Sequence, residues 1–261
     1  MRLTVMLLAA LMCTAQTPDT VFLEELTWME VRDAVKAGTT TVIIPTGGTE
    51  QNGPHMVLGK HNVRIRYMAD KIARKLGKTL VAPVMAYVPE GELKPATGHM
   101  RYAGTITLPD EYFRKVLEYA ARSLMVHGFT EIVFIGDSGP NQAGQEVVAG
   151  MLNREWANDP ARVHHIAEYY RGAGFEEWLL KKGETKEDIG THAGIRDTSL
   201  MMAVDERLVR KNKIANNGGF AGSGVAGNPT RASVAYGKQG IGIIVDFTAR
   251  KIRESIQASR K

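Results

Sequence analysis

Four short runs rich in β-branched and other apolar residues, at 41–44, 79–84, 131–135 and 163–167, are separated by longer stretches whose apolar residues recur every three or four positions. The first pattern predicts buried strands and the second amphipathic helices. The helical pattern is clearest where Phe113, Val116, Leu117, Ala120 and Leu124 share one face and Gly128 ends the run. Thr107 and Asp110 have the spacing of a capping box at its start. Residues 62–76, 141–156 and 244–256 behave similarly. Strands alternating with helices predict an α/β fold, a three-layer α/β/α sandwich around a mostly parallel sheet. The glycine-rich stretch 216–228 reads as a surface loop, with a lid over a site as the alternative.

Composition adds a compartment and removes several chemistries. The 261 residues suffice for one α/β domain of roughly 200 to 250 residues with a large core. Residues 1–15 break the pattern: Arg2 precedes an apolar run ending at Met12, and Cys13, Thr14 and Ala15 before Gln16 resemble a cleavage site. A signal peptide is expected there, then a single domain over 16–261, exported to the periplasm or beyond. A buried N-terminal helix is the alternative. The run is shorter than the roughly 20 residues of a stable membrane anchor. Cys13 is the only cysteine, so a chain without its leader forms no disulfide and has no thiolate or cysteine-ligated zinc chemistry. The formal net charge is +5, or +4 once Arg2 is removed, and no basic block interleaves with aromatics. Nucleic-acid binding therefore has no support.

Candidate chemistry gathers after the first strand. Gly47, Gly48, Gly53 and Pro54 stop that strand, which puts Glu50, His55 and His61 on a loop at its carboxyl end, where open α/β sheets collect ligands. The segment reads Thr41-Val-Ile-Ile-Pro-Thr-Gly-Gly-Thr-Glu-Gln-Asn-Gly-Pro-His55, then Leu58-Gly-Lys-His61. Later come Gly104-Thr-Ile-Thr107, Val133-Phe-Ile-Gly-Asp-Ser-Gly-Pro-Asn141, His192-Ala-Gly-Ile-Arg-Asp197 and Gly224-Val-Ala-Gly-Asn-Pro229. From about residue 22 to the end, the chain resembles the creatininase (creatinine amidohydrolase) family.

That resemblance implies a hydrolase that cuts an amide or cyclic amide C–N bond of a small molecule or short peptide through a metal-activated water. It also implies a homo-oligomer, typically a hexamer. Members hold two divalent ions with carboxylate and imidazole ligands, and here the pattern departs. The glutamate is kept as Glu50, but its histidine partner is Asn52, the bridging aspartate is His61, the second histidine falls on Ser138, and a glutamate position meets Pro140 or Ile195. A neutral imidazole offers a metal one lone pair and no charge, so His61 does not replace a bridging carboxylate. The expectation is one divalent ion, zinc or manganese, per subunit on Glu50, His61 and Asp137, with no ion and two ions as the alternatives. His192 maps to a catalytic histidine and pairs naturally with Asp197 for proton transfer. Asn52, His55 and Asn141 are expected to contact substrate. Two other readings stay open: an inactive ligand-binding or assembly protein, and a serine hydrolase using Ser138 with His192.

Overall fold

The computed structural model describes residues 18–171, 173–214 and 220–260. The leader expected over 1–15 and residues 216–219 of the glycine-rich stretch lie outside these. Four strands, β1 (Thr41–Thr46), β2 (Thr79–Val81), β3 (Glu131–Gly136) and β4 (Arg162–His165), form one wholly parallel sheet in the order β2-β1-β3-β4. Each crossover is helical: α2 (Lys60–Leu76) joins β1 to β2, α3 (Asp110–Val126) joins β2 to β3, and α4 (Asn141–Glu155) joins β3 to β4. The chain leaves β1 toward one side and returns as β3 on the other, so the switch in direction falls between the carboxyl ends of β1 and β3. Ligands of open α/β sheets bind in that crevice.

Side-chain alternation along the strands builds the three expected layers. Val42 and Ile44 of β1, with Ile132 and Phe134 of β3, pack against Phe113, Leu117 and Ala121 of α3 and Val148 and Leu152 of α4. The intervening residues Ile43, Val81, Val133 and Ile135 face Ile65, Met68 and Ile72 of α2 and Ile241, Ile244 and Ile252 of the C-terminal helix. Before the sheet, α1 (Trp28–Lys36) is opened by a capping box between Thr27 and Glu30. Beyond β4 lie α5 (Phe175–Lys181), α6 (Lys186–Ile189), α7 (Ile195–Asp205) and α8 (Val234–Ser259). The 26-residue α8 is far longer than its apolar pattern predicts, because Ser233 caps it ten residues earlier, accepting from the Tyr236 amide. Gly237 lets α8 cross α7 closely: a Cβ there would sit 1.8 Å from the Ser199 carbonyl oxygen.

Some boundaries differ from the pattern for local reasons. The cap expected at Thr107 does not form; α3 starts after Pro109, and the Thr107 hydroxyl accepts from the Glu90 amide and donates to the Gly91 carbonyl. His61 is not a loop residue but the second residue of α2. Among the described residues no helix is long and apolar enough to cross a membrane.

At the amino ends of the strands a buried polar chain ties the last helix to the sheet. His164 of β4 meets the Glu131 carboxylate at 2.8 Å through Nε2 and the Ser255 hydroxyl at 2.8 Å through Nδ1, while Arg260 also donates to Glu131. Glu131→Ala leaves a buried imidazole and a guanidinium without their acceptor. Chemical denaturation at neutral pH is expected to show a loss of about 2–3 kcal/mol.

Candidate active site

The loop after β1, the loop after β3, the first turn of α2 and the start of α7 meet around a cavity of about 230 Å³. Its walls include Glu50, Lys60, His99, Ser138, His192 and Arg196. Lys60, His61 and Arg64 lie on the buried face of α2, continuous with Ile65, Met68 and Ile72. Helical spacing thus turns one apolar stripe into a polar one as it reaches the cavity.

Glu50, His61 and Asp137 are brought together, as a hydrogen-bonded chain. His61 Nε2 lies 2.6 Å from Glu50 Oε1 and its Nδ1 lies 2.8 Å from Asp137 Oδ2. Carboxylates only accept, so a ring that satisfies both donates from both nitrogens and has no lone pair left for a metal. Asp137 also accepts from Arg64 Nε at 2.8 Å and the Tyr169 hydroxyl at 2.9 Å. Arg64 continues the network to Asp197 Oδ1 at 2.7 Å, and Lys60 Nζ lies 3.2 Å from Asp197 Oδ2 and 3.6 Å from Glu50 Oε1. Burial works to raise all three carboxylates, yet the surrounding cations win. His61 and Lys60 hold Glu50 well below its ordinary range, Arg64 and His61 lower Asp137, and Lys60 and Arg64 depress Asp197.

Among the described residues, the group whose ligand atoms do converge, within 4.8 Å of one another, is Glu50, His99 and His192. His192 Nε2 donates to the Gln51 carbonyl at 2.9 Å, which leaves Nδ1 unprotonated, 3.6 Å from Glu50 Oε1. Burial, aided by Lys60, lowers the His192 pKa to about 4, and burial also lowers that of His99, so both rings are neutral at neutral pH. Two neutral imidazoles and one ionised carboxylate fit a single divalent ion of the zinc or manganese kind. Among the described residues no second ligand group is left: Asp137 and Asp197 are engaged by Arg64, Lys60 and His61, and Asn52, Ser138 and Pro140 supply no charge. His99 carries a condition of its own. Gln51 Nε2 donates to its Nδ1 at 2.9 Å and to the Gly224 carbonyl at 3.0 Å, while Gln51 Oε1 accepts from the Gly53 amide at 2.9 Å. This fixes the His99 proton on Nε2, 3.1 Å from Glu50 Oε2, and that proton must move for Nε2 to ligate.

Other expected roles are redistributed. Asn52, His55 and Asn141 do not line the cavity. Asn52 Nδ2 donates to the carbonyls of Glu50 and Val57, His55 pairs with the Thr198 hydroxyl at 2.9 Å, and Asn141 Nδ2 donates to Thr46 Oγ1 and the Gly47 carbonyl. All three hold the loops in shape. Ser138 does line the cavity, but among the described residues no histidine nitrogen reaches its hydroxyl. Asp197 makes no hydrogen bond to His192; it caps the Ala193 amide and holds Lys60 and Arg64. The described end of the glycine-rich stretch is stitched to the site, with Ala226 and His192 exchanging backbone hydrogen bonds.

Lys60, Arg64, His99 and Glu90 are the site residues that the sequence reading missed. Glu90 is buried against Glu50, and neither of its oxygens meets a donor. Gly48 makes room for it, since a Cβ there would lie 2.3 Å from Glu90 Oε1. Burial and the Glu50 charge push the Glu90 carboxyl up to about 10, so it keeps its proton at neutral pH and donates it to Glu50. The unfolded chain releases this proton near the ordinary 4.5, so the group's contribution to stability is complete below that value and is lost as pH rises toward 10. Glu90→Gln is neutral at every pH. Denaturation is expected to find it more stable than wild type by at least about 1 kcal/mol near pH 8, with the gap closing near pH 5; equal gaps at both would refute the assigned proton.

Comparison with known proteins agrees with this architecture. The family model described as creatinine amidohydrolase matches residues 24–252. A mycofactocin precursor peptide peptidase of Mycobacterium tuberculosis is 26% identical over 238 residues, covering 81% of this chain and 84% of that protein. The creatinine amidohydrolase of Pseudomonas putida is 25% identical over 202 residues, 76% of each. A solved creatininase superposes with a TM-score of 0.77 at 23% identity, covering 91% of this chain and 99% of that one. Related structures are described as creatininase with manganese and as a Zn-Zn type. With nearly its whole described length matched by one family model and one fold, this chain belongs to the creatininase (creatinine amidohydrolase) family.

Proposed function

We propose that the chain hydrolyses an amide or cyclic amide C–N bond of a small molecule or short peptide, with one manganese or zinc ion held by Glu50, His99 and His192. The observation that carries this reading is the convergence of one ionised carboxylate and two neutral imidazoles on a cavity of small-molecule size. A bound ion supplies Lewis acidity, lowering the pKa of water toward ~7 and polarising a carbonyl. The chain's own residues supply the rest. The Gln51 carbonyl fixes the His192 tautomer so that the Nδ1 lone pair faces the cavity as a ligand atom. Arg196, anchored by its Nη2 to the Tyr170 carbonyl, stands at the wall as a cation to orient a polar substrate group. The relatives' names, a creatinine amidohydrolase and a peptide peptidase, support the bond class. An exported homo-oligomer completes the proposal, on the strength of the apolar leader and the family likeness.

The test is turnover of creatinine, other small cyclic amides, formamides and short peptides by protein reconstituted with manganese or zinc. Glu50→Gln and His192→Ala are each expected to lower kcat/KM by about 100-fold or more. No turnover of any of them, with ligand binding that survives Glu50→Gln, would make the chain a binding protein instead. A separate expectation concerns Ser138. With no histidine against its hydroxyl, it should not be labelled by a fluorophosphonate; labelling abolished by Ser138→Ala would restore the serine-hydrolase reading.

A further inference from the structure

Lys60 is the first residue of α2 and one of the largest fully buried side chains of the protein. A cation in the first turn of a helix opposes the helix dipole, and a buried ammonium is costly unless paired. Its partners explain it: Nζ lies between Asp197 Oδ2 at 3.2 Å and Glu50 Oε1 at 3.6 Å, at the cavity wall. One helical turn on, Arg64 binds Asp137 and Asp197. The carboxylates grouped here, Glu50, Asp137 and Asp197, are thus already matched by cations on α2, and each oxygen of the two aspartates already accepts a hydrogen bond. Lys60 itself is not saturated. An ammonium has three N–H donors; one goes to Asp197, the Glu50 contact is longer than a hydrogen bond, and among the described residues no other acceptor is in reach.

We infer that Lys60 is a built-in cationic centre behind the wall of this cavity, supplying the charge that a second metal ion would otherwise bring, and that its field stabilises the negative charge that builds on the substrate carbonyl oxygen. The second half rests on the hydrolase reading above. As hydroxide adds to the carbonyl carbon, the C=O π pair moves onto oxygen, and the new negative charge is stabilised by the ammonium behind the wall. The oxygen pair then re-forms C=O, the C–N bond breaks, and the proton of the added hydroxyl passes to the leaving nitrogen, giving a carboxylate and an amine.

Two measurements on wild type and Lys60→Met decide this. Manganese titrated into metal-stripped protein, followed by desalting and metal analysis, is expected to show no more than one equivalent in wild type. The variant should bind manganese at least about tenfold more tightly, since a positive charge beside Glu50 has gone. Two equivalents in wild type, or no tightening in the variant, overturns the charge replacement. For whichever amide wild type turns over, kcat should fall about 100-fold or more in Lys60→Met with KM changed less than about threefold, and an unchanged kcat overturns the stabilisation of the carbonyl oxygen. A wild type inert toward every amide removes the hydrolase reading and the stabilisation of the carbonyl oxygen together, while the manganese count still decides the charge replacement. If Lys60→Met does not fold, Lys60→Gln, of similar length and uncharged, takes its place in both measurements.

Discussion

Three carboxylates gathered where the sheet changes direction must be neutralised before the chain can fold around them. Glu50, Asp137 and Asp197 come from three separate segments and are all buried. Left unpaired, each charge would cost several kcal/mol, a large share of the stability of a domain this size. A single helix face answers all three, with Lys60, His61 and Arg64 within one turn and a residue of one another. The placement of α2 over the sheet, the approach of α7 and the path of the loop after β3 are therefore one problem with one solution. Removing any member leaves an uncompensated charge, so the network holds the fold as much as it shapes the cavity.

Within that frame the cavity sorts protons unevenly. Glu50 is ionised, its neighbour Glu90 is not, and His99 and His192 are neutral although a carboxylate faces them. Neighbouring groups pushed apart in this way are what acid–base chemistry uses, and burial is the largest influence on each of them. The likeness to creatinine amidohydrolases is one of family and fold.

Much of the fold was legible because it depends on short-range pattern. The apolar runs of β1 and β3 are buried on both faces and admit no other reading, and the α3 stripe is regular enough to survive the loss of its expected cap. The site was less legible. Glu50, His61 and Asp137 were found, but their meeting as a hydrogen-bonded chain depends on how α2 docks. The signal for Lys60 and Arg64 was present all along: charged residues at positions continuous with the apolar stripe of Ile65, Met68 and Ile72 are buried charges. Glu90 and His99 had no such pattern, since they reach the cavity through an irregular segment between β2 and α3. Asn52, His55 and Asn141 misled because amides and imidazoles beside glycine-rich turns serve the backbone as readily as a substrate.

The amide of Gln51, pinned between the Gly53 N–H and the Gly224 carbonyl, has a reach beyond its own loop. It dictates which edge of the His99 ring is a donor, and Gly224 belongs to the glycine-rich stretch that is sewn to His192. Any rearrangement of that stretch which turned the amide over would relocate a hydrogen atom inside the cavity without moving either imidazole. Backbone posture at the rim and tautomeric state at the centre are thereby a single variable.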